Sequence, residues 1–120
     1  MSQEKKVIAV DEGVKRVMNN RTLYNRLLGN FKGREMTEEI ISAIKEKDWE
    51  RAKIGAHTLK GVASNLAIHL MSDTVDELEA KIIIVKEKGG ETNGEISSYI
   101  PILEECLTTV ENAIQEILAE

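Results

Sequence analysis

Apolar residues recur every three or four positions through most of this chain, the spacing of one buried helical face rather than the alternation of a strand. Leu23, Tyr24, Leu27, Leu28 and Phe31 share such a face and predict a helix over about 20–33, with Gly33 as its end. Ahead of it, Asp11 starts a short helix carrying Val14 and Val17, and residues 1–9 are expected to form a loose leader. Thr37 is the expected cap of the next helix, with Glu38 and Glu39 in its first turn and Ile40, Ile41 and Ile44 as its apolar face. Asp48 caps a helix over about 49–67 that begins with Trp49. Met71, Val75, Leu78, Ile82 and Val85 are spaced four, three, four and three, the seam of a helix packed almost parallel to its neighbours. Lys86 and Lys88 suit its carboxyl end, Gly89-Gly90 stop it, and 89–94 is the clearest loop in the chain. Ile100, Leu103, Leu107, Val110, Ile114 and Ile117 repeat the seam. Pro101 is tolerated in a first helical turn, which puts that start near Ser97 or Ser98, with Asn93 as the alternative. The fold expected is all-α: an up-and-down four-helix bundle with a short additional N-terminal helix, a single domain over 1–120.

Composition narrows the function. Three per cent aromatics and one proline speak against a β-sandwich or barrel, and 42% apolar residues suffice for one core in a chain of 120. Sixteen basic against twenty-one acidic side chains leave a net charge of −5 with no basic stripe, which argues against nucleic acid as a partner. The lone Cys106 makes neither an internal disulfide nor a thiolate metal site, and its apolar-periodic setting predicts a buried thiol. The longest all-apolar run, Ile82 to Val85, is far short of a membrane span, and the first residues carry no secretory pattern. A cytoplasmic monomer without membrane insertion is the expectation.

The segment 49–67 does more than pack. Wound at about 100° per residue from Trp49, it gathers Leu66, Leu59, Ala52, Ala63, Ala56 and Trp49 into one buried stripe, flanked by Val62 and Gly55. Half of that stripe is alanine, which lets neighbouring helices approach closely. His57 falls about 140° from the stripe's centre and is expected to face water. Lys53 at i−4, Lys60 at i+3, Gly61 at i+4 and Ser64 at i+7 share its face. A mid-helix glycine costs about 1 kcal/mol relative to alanine, and no helix packing offsets this on a solvent face. A missing side chain beside an exposed imidazole gives another macromolecule access to it. The bland alternative is a surface histidine among common surface lysines. Ile54, on the same exposed side, is either part of an apolar docking patch or a scattered surface residue. No carboxylate cluster is expected on the His57 face.

The run Ala56-His57-Thr58-Leu59-Lys60-Gly61, continued by Asn65-Leu66, resembles the signature of histidine-containing phosphotransfer domains. Leu23-Tyr24 through Leu27-Leu28 to Phe31 resembles that family's second helix, and Leu78-Glu79 a later segment, so the likeness spans about 8–118. The resemblance implies a four-helix bundle whose exposed histidine carries a phosphoryl group between receiver-domain aspartates. By it, His57 is the phosphoacceptor, Lys60 helps hold the phosphoryl oxygens and Gly61 clears space for the receiver. From the helix face itself, Lys53 is expected as a second cation for the phosphate, and Ser64, Ile54 and Asn65 are the further candidates, with Gly61, for receiver docking. One departure is Ala67, in Asn65-Leu66-Ala67-Ile68, where the family has glycine. Neutral imidazole is a competent nucleophile, and phosphoryl transfer rests chiefly on alignment and charge neutralisation. The domain is expected to have no cofactor or metal of its own, with Mg2+ on the receiver partner. It is expected to be a carrier rather than an enzyme.

Four rivals are distinguishable. A sensor-kinase dimerisation helix follows its histidine with Glu or Asp, whereas Thr58 follows here, and no nucleotide-binding glycine boxes occur. A phosphotransfer domain cut from a chemotaxis-type or hybrid histidine kinase shares the same core. A structural adaptor bundle with an unphosphorylated site is the reading from another class. A metal-binding bundle would need Glu-x-x-His pairs, and neither His57 nor His69 makes one, so His69 reads as a helix-start surface residue.

Overall fold

A computed structural model describes residues 7–90 and 94–120. Among the described residues six helices follow one another: α1 (Val10–Arg16), α2 (Arg21–Gly29), α3 (Gly33–Lys45), α4 (Trp49–Asn65), α5 (His69–Glu87) and α6 (Tyr99–Leu118). The last four, 13 to 20 residues long, form the bundle. α3 packs on α4, α4 on α5, α5 on α6, and α6 returns to α3, which closes the ring. Connections of three residues at 46–48 and 66–68 force successive helices to reverse. No strand occurs among the described residues.

The seams lie where the spacing put them. Met71, Val75, Leu78, Ile82 and Val85 are buried on α5, and Leu103, Leu107, Val110 and Ile117 on α6. Ile100 and Ile114 pack at the core's edge. Cys106 is free and buried, its Sγ 3.8 Å from Met71 Sδ, and burial pushes the thiol's pKa up. On α4, Ala52, Ala56, Leu59 and Ala63 are fully buried. A Cβ added at Gly55 would lie 2.9 Å from Ile40 Cγ1, so the small residues of α4 do set the close approach of α3.

The N-terminal region differs from expectation. α2 ends at Gly29, and Gly33 opens α3 instead of closing α2. Thr37 is therefore no cap; it lies fully buried inside α3, whose cap position is Lys32. Two short helices precede the bundle, and the first turn of α2 is capped by Asn20, which accepts from Leu23 N–H at 2.9 Å. Residues 7–9 are held in place: Ile8 is in the core, Ala9 N–H donates to the Ala67 carbonyl at 2.9 Å, and the Val7 carbonyl accepts from Leu70 N–H at 3.2 Å. The remainder of the expected leader, 1–6, and Asn93 with the middle of the 89–94 loop lie outside the described residues.

The end of α4 shows what Ala67 does. Ile68 N–H donates to the Ala63 carbonyl at 2.9 Å and Ala67 N–H to the Ser64 carbonyl at 3.0 Å, the paired bonds that end a helix through a left-handed residue. Ala67 is that residue, with φ 59° and a fully buried side chain. Glycine adopts this conformation without cost, whereas alanine is strained by about 1 kcal/mol.

Candidate functional site

Asp48 fixes the start of α4 by accepting from Arg51 N–H at 3.1 Å, and from there the helix runs unbroken past residue 57. The imidazole of His57 projects from its outer face with 70% of the side chain exposed. Gly61 is exposed one turn further on, and a Cβ built there meets nothing within 4 Å. Nothing inside this chain therefore requires glycine at 61.

The neighbouring helix supplies a group the sequence did not reveal. Glu79 of α5 holds its Oε2 3.0 Å from His57 Nδ1 and its Oε1 2.9 Å from Lys60 Nζ. Its side chain is only 12% exposed. Burial pushes the Glu79 pKa up, but the hydrogen bonds from Lys60 and His57 outweigh it and hold the carboxyl below its ordinary value. Because a carboxylate only accepts, the shared proton sits on His57 Nδ1 and the lone pair is left on Nε2. Asp76, one turn before Glu79, lies 3.3 Å from the same Lys60 ammonium. Glu79 and then Asp76 raise the Lys60 pKa, keeping it charged. The expectation of no carboxylate cluster on the His57 face is thus corrected: α4 carries only Glu50 there, two turns before His57 and beside Lys53, but α5 brings Glu79 and Asp76 to Lys60.

A shallow groove of about 340 Å³ runs beside the ring, lined by Lys53, Ile54, His57, Thr58, Glu79 and Ile83. Ile54 is 54% exposed and Ile83 38%, so the imidazole is flanked by apolar surface from both helices. Lys53 lies 3.8 Å from Glu50, which Lys86 also engages. Ser64 and Asn65 do not join this groove. Ser64 is half-buried and its carbonyl accepts from Arg16 of α1, while Asn65 lines a different hollow with Val62, Phe31 and Leu66. His69 opens α5 as expected, and its Nε2 lies 3.0 Å from Glu12.

Asp76, Glu79 and Ile83 are the residues that sequence reasoning missed as parts of the site. Their spacing places them along one edge of the α5 seam, a signal legible only once α5 is known to pack beside the His57 side of α4. Among the described residues, no group of three or more His, Cys, Asp or Glu is arranged to hold a metal ion. Among them too, no helix is long and apolar enough to cross a membrane.

A family model described as the Hpt domain matches residues 32–120, well over half of the chain. The chain belongs to the Hpt domain family. Hpt domains are helical-bundle carriers that perform histidine phosphotransfer in phosphorelays and interact with receiver domains and kinases. The match takes in α3 to α6 with the whole His57 neighbourhood, and α1 and α2 lie before it. The likeness drawn from Leu23 to Phe31 is thus outside the matched residues. No curated protein and no solved structure matches the chain.

Proposed function

We infer that this Hpt domain accepts a phosphoryl group on His57 from the aspartyl phosphate of a receiver domain and passes it to the aspartate of another. The observation that carries the reading is the exposed ring with Nδ1 bound to Glu79 and Nε2 open to solvent. Nε2 is then the nucleophile, aligned by a buried-edge carboxylate that also balances the positive charge developing on the ring. Lys60 is placed to meet the phosphoryl oxygens, with Lys53 as a second, more distant cation. Exposed Gly61 leaves room for the receiver, and Ile54 with Ile83 gives its apolar rim a surface to rest on.

The transition state of phosphoryl transfer is loose and in line, so positioning and charge carry the catalysis. Mg2+ and the acidic pocket belong to the receiver in this reading. Thr58 rather than Glu or Asp follows His57, which supports a domain that takes its phosphoryl group from a receiver and not from ATP. It works as a cytoplasmic monomer, either by itself or within a larger kinase.

The test is incubation with receivers charged by acetyl phosphate. Acid-labile, alkali-stable label on the protein, lost in His57→Gln with the fold intact, supports the reading. An unlabelled protein that still binds receivers would make it a structural adaptor.

A further inference from the structure

Lys60 is claimed twice. Its ammonium lies 2.9 Å from Glu79 Oε1 and 3.3 Å from Asp76 Oδ1, so α5 presents two carboxylates a turn apart to one cation. The two differ in what else they do. Glu79 is 12% exposed and also receives His57 Nδ1; Asp76 is 66% exposed and has no other ion-pair partner among the described residues. Lys53 is drawn towards Glu50, which leaves Lys60 as the cation tied into the His57–Glu79 cluster.

The charge balance changes when the ring is phosphorylated. As Nε2 attacks, the P–O bond of the donor's aspartyl phosphate breaks and a P–N bond forms. The donor carboxylate departs with the electron pair, and the ring keeps its Nδ1 proton as an imidazolium. Glu79 balances that positive charge. The phosphoryl group, carrying two negative charges, draws on Lys60, which Asp76 already holds.

Resting on the phosphocarrier reading, we propose that Asp76 competes with the Nε2-phosphoryl group for Lys60. It thereby weakens the phosphohistidine and keeps its phosphoryl group easy to pass on. Asp76 is a positioning residue: it touches Lys60 and acts on the phosphoryl group through it.

The measurement is the equilibrium between phosphorylated receiver and phosphorylated Hpt domain, read as the ratio of the two labelled species. Asp76→Asn should raise the phosphohistidine share about threefold at low ionic strength, and the gain should shrink at about 0.5 M salt as screening removes the competition. In a Lys60→Gln background, the Asp76→Asn change should have no effect, because the contested cation is gone. Glu104→Gln on α6 makes the same change in net charge and should leave the ratio as in the wild type. An unchanged ratio in Asp76→Asn overturns the proposal, as does a shift that survives in the Lys60→Gln background or is matched by Glu104→Gln. A wild type that takes no label overturns the phosphocarrier reading itself, so the two failures are distinguishable.

Discussion

Glu79 Oε2 lies 3.0 Å from His57 Nδ1 across the α4–α5 interface, a nearly buried carboxylate holding the inner nitrogen of a ring that is otherwise 70% exposed. In the proposed transfer this bond leaves Nε2 as the nucleophile, and it comes from a helix whose apolar spacing by itself carries no chemistry.

Replacing Glu79 separates charge from hydrogen bonding. Glu79→Ala removes both and should slow phosphoryl transfer about tenfold, while Glu79→Gln keeps an acceptor for Nδ1–H and should lose less. Stability should follow pH with a definite sign. The Glu79 pKa is lowered in the folded protein, so its stabilising effect is present above the ordinary 4.5 and lost as pH falls through the lowered value. The gap in unfolding free energy between wild type and Glu79→Gln, read by denaturant titration, should therefore be constant near neutrality and close at acid pH. A gap that widens on acidification would contradict the pairing.

Gly61 gives a prediction in which stability and function move apart. A Cβ at Gly61 meets nothing within 4 Å, so the exposed Gly61→Leu should gain helix propensity and stabilise the protein by about 0.5–1 kcal/mol. On the proposed docking mode the same side chain stands in the receiver's path, so transfer should fall at least about tenfold through weaker docking. Thermal melting and receiver titration check the two halves. A Gly61→Leu variant that melts higher and transfers normally removes the clearance argument.

Tyr24 is a buried tie between the N-terminal helices and the bundle. Tyr24 is fully buried, its hydroxyl donates to the Leu66 carbonyl at 2.7 Å, and its ring fills the space at Gly13, where an added Cβ would come within 2.2 Å of Tyr24 Cε1. Gly13→Ala must displace either the ring or α1 and should cost about 2 kcal/mol or more by chemical denaturation. Tyr24→Phe leaves the Leu66 carbonyl without this donor and should cost about 1–2 kcal/mol. In both variants the folded fraction should still take up phosphate, since neither residue belongs to the His57 groove.

The bundle was legible because its signals are periodic. Seams on α5 and α6, the alanine stripe of α4 and the outward azimuth of His57 all follow from 3.6 residues per turn. Helix ends were less legible, since glycine served as the mark of a stop. Gly33 instead opens α3, and three actual stops use residues in the left-handed region that no rule singles out: Met18 at φ 59°, Lys47 at 58° and Ala67 at 59°. Gly89, at 79°, ends α5 as its residue type suggests. The partners of His57 were illegible for another reason. Periodicity says which face of a helix is buried, but not which neighbour's edge comes to rest beside the exposed one. Leu78-Glu79 was noticed as a likeness, and its role required the α4–α5 packing.

The most direct test is the site of attachment itself. Protein labelled with 15N in its histidines, phosphorylated by a charged receiver and read by 31P and 15N NMR, should show a single phosphorus bonded to Nε2 of His57. Phosphorus on Nδ1, or on no histidine, would contradict the account.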